Sequence, residues 1–162
     1  MARPMTKSEY VVAEQPTDYA HQAYTILKFG FTVAPIIAGL DKFFNLLVPW
    51  EQYLAPWVPD LLNISPQTFM YGVGIIEITV GVLVAFWPEV FAYVVTLWLW
   101  GIIINLLTVP GYYDIALRDF GLSIGALSLA RLAHAHRLER SGQMTGAVPQ
   151  TEIRPSERQR AA

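Results

Sequence analysis

Apolar residues occupy four long blocks in the middle of the chain, and charged residues concentrate at its two ends. Each block is close to the roughly 20 residues that an α-helix needs to cross a hydrocarbon core of about 30 Å. Helices satisfy their own backbone hydrogen bonds in lipid, so such blocks predict spanning helices. The pattern therefore predicts an all-α fold, a transmembrane four-helix bundle. The expected spans are about 23–48, 67–87, 89–109 and 114–133.

The links between the blocks are two tight turns and one longer loop. Pro88 follows the second block and Pro110 follows the third, which is typical of turns. The loop of residues 49–66 carries aromatic residues that favour a membrane interface: Trp50, Tyr53 and Trp57. A short helix lying on the membrane around Glu51 to Leu62 is one interpretation of this loop, although the prolines within it disfavour a helix.

The distribution of Lys and Arg predicts the orientation. Arg3 and Lys7 precede the first block, whereas the loop of residues 49–66 has no Lys or Arg. Six arginines close or follow the fourth block: Arg131, Arg137, Arg140, Arg154, Arg158 and Arg160. Positive charge favours the cytoplasmic side, so both termini are expected there. Residues 1–22 then form a cytoplasmic N-terminal segment, residues 135–162 a polar cytoplasmic tail, and residues 49–66 an extracytoplasmic loop.

Composition excludes several classes of function. The formal net charge is −2, so nothing indicates nucleic acid as a partner. The chain contains no cysteine, which rules out disulfides, thiolate metal sites, iron–sulfur clusters and thiol catalysis within it. Residues 1–19 are polar and lack the pattern of a cleavable signal peptide, so the first apolar block is expected to direct insertion.

Each apolar block also contains a charged or amide residue in its predicted outer half. These residues are Asp41, Lys42, Glu77, Asn105, Arg118 and Asp119. A charge at the centre of a membrane costs several kcal/mol, so it usually faces the bundle interior and finds a partner. The six are therefore predicted to form a buried polar cluster. Two interpretations remain open: a structural clamp that fixes the helix register, and a ligand or proton site.

Small residues share helical faces with these polar groups. They are Ala34 and Ala38 before Asp41, Gly74 and Gly81 around Glu77, Gly101 before Asn105, and Gly121 and Gly125 after Arg118. Because small residues let membrane helices approach closely, they predict contact faces between the spans.

Glu77 is expected near mid-membrane, where it needs Lys42 or Arg118 as a partner. A carboxyl group there could relay protons or hydrogen-bond a quinone carbonyl. It could equally be a buried partner of Arg118 and nothing more.

The three histidines fall at the predicted cytoplasmic interface: His21, His134 and His136. A haem between the first and fourth helices would need His21 opposite one of the other two. These positions lie at or beyond the helix ends, so solvated interfacial histidines are the favoured interpretation. No metal site is predicted.

Three segments resemble the DoxX/DoxD-like family of small four-helix membrane proteins. Residues 38–43 (AGLDKF) resemble the Gly-x-x-Lys element that ends the family's first helix, and residues 74–81 (GIIEITVG) resemble its Glu-centred second helix. Residues 117–122 (LRDFGL) resemble its Arg-Asp-x-Gly-Leu start of the fourth helix. The resemblance covers about residues 24–132, and its motif positions here are Lys42, Glu77, Arg118 and Asp119.

The resemblance implies a multi-pass protein of a bacterial or archaeal plasma (inner) membrane, associated with a quinone-linked oxidoreductase or respiratory system. The chain carries no intrinsic cofactor motif, so a bound quinone is the one cofactor implied. A non-catalytic structural or accessory subunit of a larger membrane complex is an alternative, and a small-solute or proton transporter is a second. The expected partners are the lipid bilayer and other protein subunits or copies of the same chain.

Overall fold

The structure is a computed structural model that describes the backbone of residues 7–145 and the side chains of residues 19–142. It is helical, with no strand between residues 7 and 145, which confirms the predicted all-α class. The elements are α1 (Lys7–Asp41), a 3-10 helix (Trp50–Tyr53), α2 (Trp57–Leu62), α3 (Pro66–Phe86), α4 (Pro88–Leu107) and α5 (Tyr113–Thr145). Residues 1–6 and 146–162, with Arg3, Arg154, Arg158 and Arg160, lie outside the described residues.

Three of the described helical segments are long and apolar enough to cross a membrane. They are Tyr19–Asp41 within α1, Pro66–Phe86 and Pro88–Leu107. The fourth long helix, α5, carries three charged residues near its start, namely Asp114, Arg118 and Asp119. These charges set α5 apart from the other three by composition, although its length is ample for a span.

Local sequence explains where several helices begin and end. The Ser65 hydroxyl caps α3 by accepting a hydrogen bond from the Thr68 amide, and Pro66 takes the first helical position, where a missing N–H costs nothing. Pro88 likewise takes the first helical position of α4. Asn63 ends α2 in the left-handed conformation that asparagine tolerates well (φ 54°).

The helix limits differ from the predicted ones at three places. α1 begins before residue 23 and ends at Asp41, not near residue 48, because the Asp41 carboxylate binds the amides of the following loop and turns the chain. α5 continues beyond residue 133 to Thr145. The loop holds a 3-10 helix and α2 in place of one short helix, since Pro56 stands at the start of α2.

The four long helices form a ring in which each contacts two antiparallel neighbours. α1 packs closely on α3 and α4 on α5, and lesser contacts join α1 to α5 and α3 to α4. The interior between them is apolar in the half nearer the α3–α4 turn. That core consists of Val84, Ala92, Val95, Ala126, Leu129 and Ala130, and a second cluster nearer the α4–α5 turn holds Ile103, Leu106 and Ala116.

Glycines allow α1 and α3 to approach backbone to backbone. A Cβ atom placed on Gly74 would lie 2.6 Å from the Gly39 carbonyl oxygen, and one on Gly81 would lie 2.8 Å from that of Thr32. The predicted glycine face of α3 is therefore a true contact face.

Of the other glycines predicted to mark helix contacts, one lies at a contact and two do not. Gly125 lies against the Phe31 ring, where a Cβ atom would come within 3.2 Å. Gly101 and Gly121 have open space around them, so the prediction that they mark helix contacts was wrong.

Candidate functional site

The predicted polar cluster is organised around an ion pair between α1 and α3. Lys42 directly follows the last residue of α1, and its Nζ lies 2.5 Å from Oε2 of Glu77, about halfway along α3. The two side chains are only 4% and 11% exposed. Nζ also lies 3.7 Å from the centre of the Trp50 ring, a cation–π contact, and 3.4 Å from the Ala38 carbonyl oxygen. The ammonium group is thus enclosed by protein.

Asp41, next to Lys42, binds the loop instead of another helix. Its carboxylate accepts hydrogen bonds from the Trp50 indole N–H at 2.7 Å and from the amides of Leu46 and Leu47 at 3.0 and 3.1 Å. Asp41 itself is 7% exposed. Several N–H donors therefore stabilise this negative charge without a cation. Trp50 contacts both charged residues: its indole N–H donates to the Asp41 carboxylate, and its ring covers the Lys42 ammonium group.

Asn105 of α4 anchors the same loop by hydrogen bonds from the opposite side. Its side-chain oxygen accepts the Ala55 amide at 3.0 Å, and its side-chain nitrogen donates to the Tyr53 carbonyl oxygen at 2.6 Å. Ala55 is fully buried and Leu54 is 8% exposed. We call residues 50–62 the outer cap, because this segment closes the bundle end that holds the Lys42–Glu77 pair.

Replacing Asn105 with alanine should loosen the outer cap. The variant loses both hydrogen bonds and leaves the buried Ala55 amide unpaired, a cost of about 1–3 kcal/mol. Faster hydrogen exchange at Ala55 and faster proteolysis within the cap would show this. Gln52→Ala is the control, since it removes one exposed hydrogen bond to Tyr112, and it should leave both rates unchanged. Equal rates in Asn105→Ala and in the unaltered protein would contradict the anchoring role.

Arg118 pairs with its neighbour Asp119 and makes no ion pair with Glu77, so Lys42 is the partner of Glu77 among the two predicted candidates. Arg118 Nε and Nη2 each lie 2.9 Å from Asp119 Oδ1. The Arg118 side chain is 62% exposed, whereas that of Asp119 is 5% exposed. Successive residues on a helix point about 100° apart, which explains why one faces inward and the other outward.

The six predicted residues therefore lie in three groups. Lys42 and Glu77 form the buried pair, Asp41 and Asn105 hold the loop and the outer cap, and Asp119 faces inward near enough to Glu77 for their charges to interact. Arg118 stands at the edge of this arrangement.

Two tryptophans that were not predicted as site residues lie in the site. Trp50 covers Lys42, and Trp98 of α4 places its indole beside Glu77. The Trp98 N–H is buried, yet it lacks a partner in hydrogen-bonding geometry among the described residues. Only the position of Trp98 on α4, at the same depth as Glu77 on the antiparallel α3, could have indicated this.

The histidines lie at the end of the bundle opposite the outer cap. The rings of His21 and His136 pack with centroids 5.0 Å apart, and Tyr24 stacks on His136 at the same distance. His134 is exposed. Within the described part of the chain no three His, Cys, Asp or Glu residues are grouped to hold a metal ion. Nearby, Arg137 of α5 forms an ion pair with Glu89 of α4.

No family model, no curated protein and no solved structure matches this chain. The resemblance to the DoxX/DoxD-like family therefore has only the three quoted segments as its support.

Proposed function

We propose that this chain is a four-span membrane protein with both termini in the cytoplasm, and that it is a non-catalytic subunit of a larger membrane complex. The outward face of α5 supports a fourth span. It exposes large apolar side chains over several turns: Leu117, Phe120, Leu122, Ile124 and Leu127. Asp119 and Ser123 are buried on the inward face. A helix with this broad apolar outward face and a buried Asp119 suits a bundle surrounded by lipid.

The observation that carries the non-catalytic role is the closure of the charged core by the chain's own groups. Lys42 has Glu77 and the Trp50 ring, and Asp41 has N–H donors. Asp119 has Arg118. A group that acts on a substrate needs room beside it, whereas these groups contact one another. Such a core holds the helices in one register, which fits a subunit that contributes structure.

A second candidate is a membrane subunit of a quinone-linked oxidoreductase in a bacterial or archaeal inner membrane. The buried indole N–H of Trp98 beside Glu77 favours it, because an N–H donor and a carboxyl group together suit a carbonyl ligand such as a quinone. The DoxX/DoxD-like resemblance points to the same class.

The two functions separate in a purification from the native membrane in mild detergent. Partner subunits and extractable quinone are identified by mass spectrometry for the unaltered protein and for Glu77→Gln. Glu51→Gln is the control, since Glu51 is an exposed carboxylate of the outer cap. A structural subunit predicts less assembled complex in Glu77→Gln, with normal turnover in the complex that forms.

Full assembly with bound quinone lost and turnover lost in Glu77→Gln would favour the oxidoreductase function instead. Recovery of the chain without any other subunit would contradict both functions.

A further inference from the structure

Arg118 is the one charged residue of the predicted cluster that faces outward. Its neighbours on the outward face of α5 are apolar, with Leu117 72% and Leu122 44% exposed. A guanidinium group on an apolar, lipid-facing surface is costly unless an anionic or polar group meets it. Asp119 meets one edge of this guanidinium group, and the remaining edge faces the apolar surface, where a second polar partner would stabilise it.

Asp119 holds the Arg118 guanidinium group in place but contacts only some of its N–H donors. Nε donates a hydrogen bond to Oδ1 of Asp119, and Nη2 lies 2.9 Å from the same oxygen, so both contacts are at one edge of the guanidinium group. Of the five N–H donors of an arginine, the four on Nη1 and Nη2 make no hydrogen bond to the described residues, although Nη2 is in ion-pair contact with Asp119. The buried Asp119 carboxylate thus orients the guanidinium group and leaves its outward N–H donors available to a ligand.

The surface next to Arg118 is open. Gly121 lies one turn further along α5, and a Cβ atom placed there would meet nothing within 4 Å. Asp114, one turn before Arg118, is exposed and is the one acidic residue of α5 on that side. Asp114 is nearer to the start of α5, so it does not occupy the surface between Arg118 and Gly121.

The depth of Arg118 matches a lipid headgroup. It lies five residues after Tyr113, the first residue of α5, which is roughly 7–8 Å along the helix. Headgroup regions extend several ångströms on either side of a hydrocarbon core of about 30 Å. A long arginine side chain can reach the headgroups from this depth.

We propose that Arg118, held by Asp119, binds the phosphate group of a phospholipid in the outer leaflet. The planar fork of arginine binds phosphate oxygens in pairs, and Gly121 leaves room for the glycerol and upper acyl chain beside the helix. The site rests on the proposed spanning of α5 and adds a specific ligand to it.

Lipid retention by the purified protein tests the site. The unaltered protein, Arg118→Gln and Arg118→Lys are reconstituted in nanodiscs of phosphatidylcholine and phosphatidylglycerol, transferred to detergent, and analysed by native mass spectrometry. Arg140→Gln is the matched control, since Arg140 is an exposed arginine near the other end of α5. Arg118→Gln should lose one retained phospholipid, Arg118→Lys should retain it in a smaller fraction of molecules, and Arg140→Gln should match the unaltered protein.

Two further measurements decide between explanations. Unchanged melting of Arg118→Gln would show that lipid loss does not reflect unfolding, and if that variant melts early, Arg118→Lys carries the test. Displacement of the lipid by millimolar inorganic phosphate would assign the site to free phosphate and overturn the lipid assignment.

Equal lipid retention by all variants would overturn the proposal. Equal retention together with a cytoplasmic C-terminal end would leave the fourth span intact, so failure of this site and failure of the spanning model are distinguishable.

Discussion

Glu77→Ala should lower the free energy of unfolding by about 3–5 kcal/mol, because it leaves the Lys42 ammonium buried without its counter-charge. Lys42 cannot turn to water, since its side chain is 4% exposed and Trp50 covers it. Thermal or denaturant unfolding in detergent micelles measures the change. Glu51→Ala removes an exposed carboxylate and should unfold like the unaltered protein.

A double variant separates the loss of the ion pair from the cost of burying a lone charge. Lys42→Met with Glu77→Leu replaces both charges by apolar groups of similar size, and exchanges of this kind are often neutral or stabilising. The double variant should therefore recover most of the stability lost in Glu77→Ala. If Glu77→Ala unfolds at the same temperature as the unaltered protein, the pair does not hold the bundle together.

Gly74→Ala should destabilise the bundle by about 1–3 kcal/mol through overpacking. Its new methyl group would lie 2.6 Å from the Gly39 carbonyl oxygen, and backbone atoms cannot move aside as a flexible side chain can. The α1–α3 contact must widen, which also strains the Lys42–Glu77 pair at its outer end. Unfolding in detergent measures this effect.

Gly72→Ala is the matched control for this substitution. Gly72 lies on the same helix, and a Cβ atom there meets nothing within 4 Å. Alanine should be neutral or slightly stabilising at that position, since glycine within a helix costs roughly 0.5–1 kcal/mol relative to alanine. Equal destabilisation by the two substitutions would mean that the cost comes from something other than the close contact with α1.

The sequence predicts the helical class and three spans well because long apolar blocks need no tertiary information. It also predicts that Glu77 lies on a face with Gly74 and Gly81, since helical periodicity fixes which residues share a face. The buried position of Asp41, Lys42 and Asp119 follows from the cost of a charge in lipid.

The partner of each charge could not be predicted in the same way. Lys42 and Arg118 were both candidates for Glu77, and the choice depends on how α1 and α3 pack and on the direction in which a flexible side chain points. The end of α1 depends on hydrogen bonds between Asp41 and residues that follow it, which a hydropathy pattern does not contain. Trp50 reaches the pair only because the outer cap folds back over the bundle.

Labelling of single cysteines decides whether four spans enclose the Lys42–Glu77 pair, and the chain has no native cysteine to interfere. Asp60→Cys in the outer cap and Gly142→Cys near the end of α5 are both at exposed positions. In intact cells a membrane-impermeant maleimide should label Asp60→Cys and should label Gly142→Cys only after permeabilisation. Labelling of Gly142→Cys in intact cells would put the end of α5 outside and would contradict the four-span bundle.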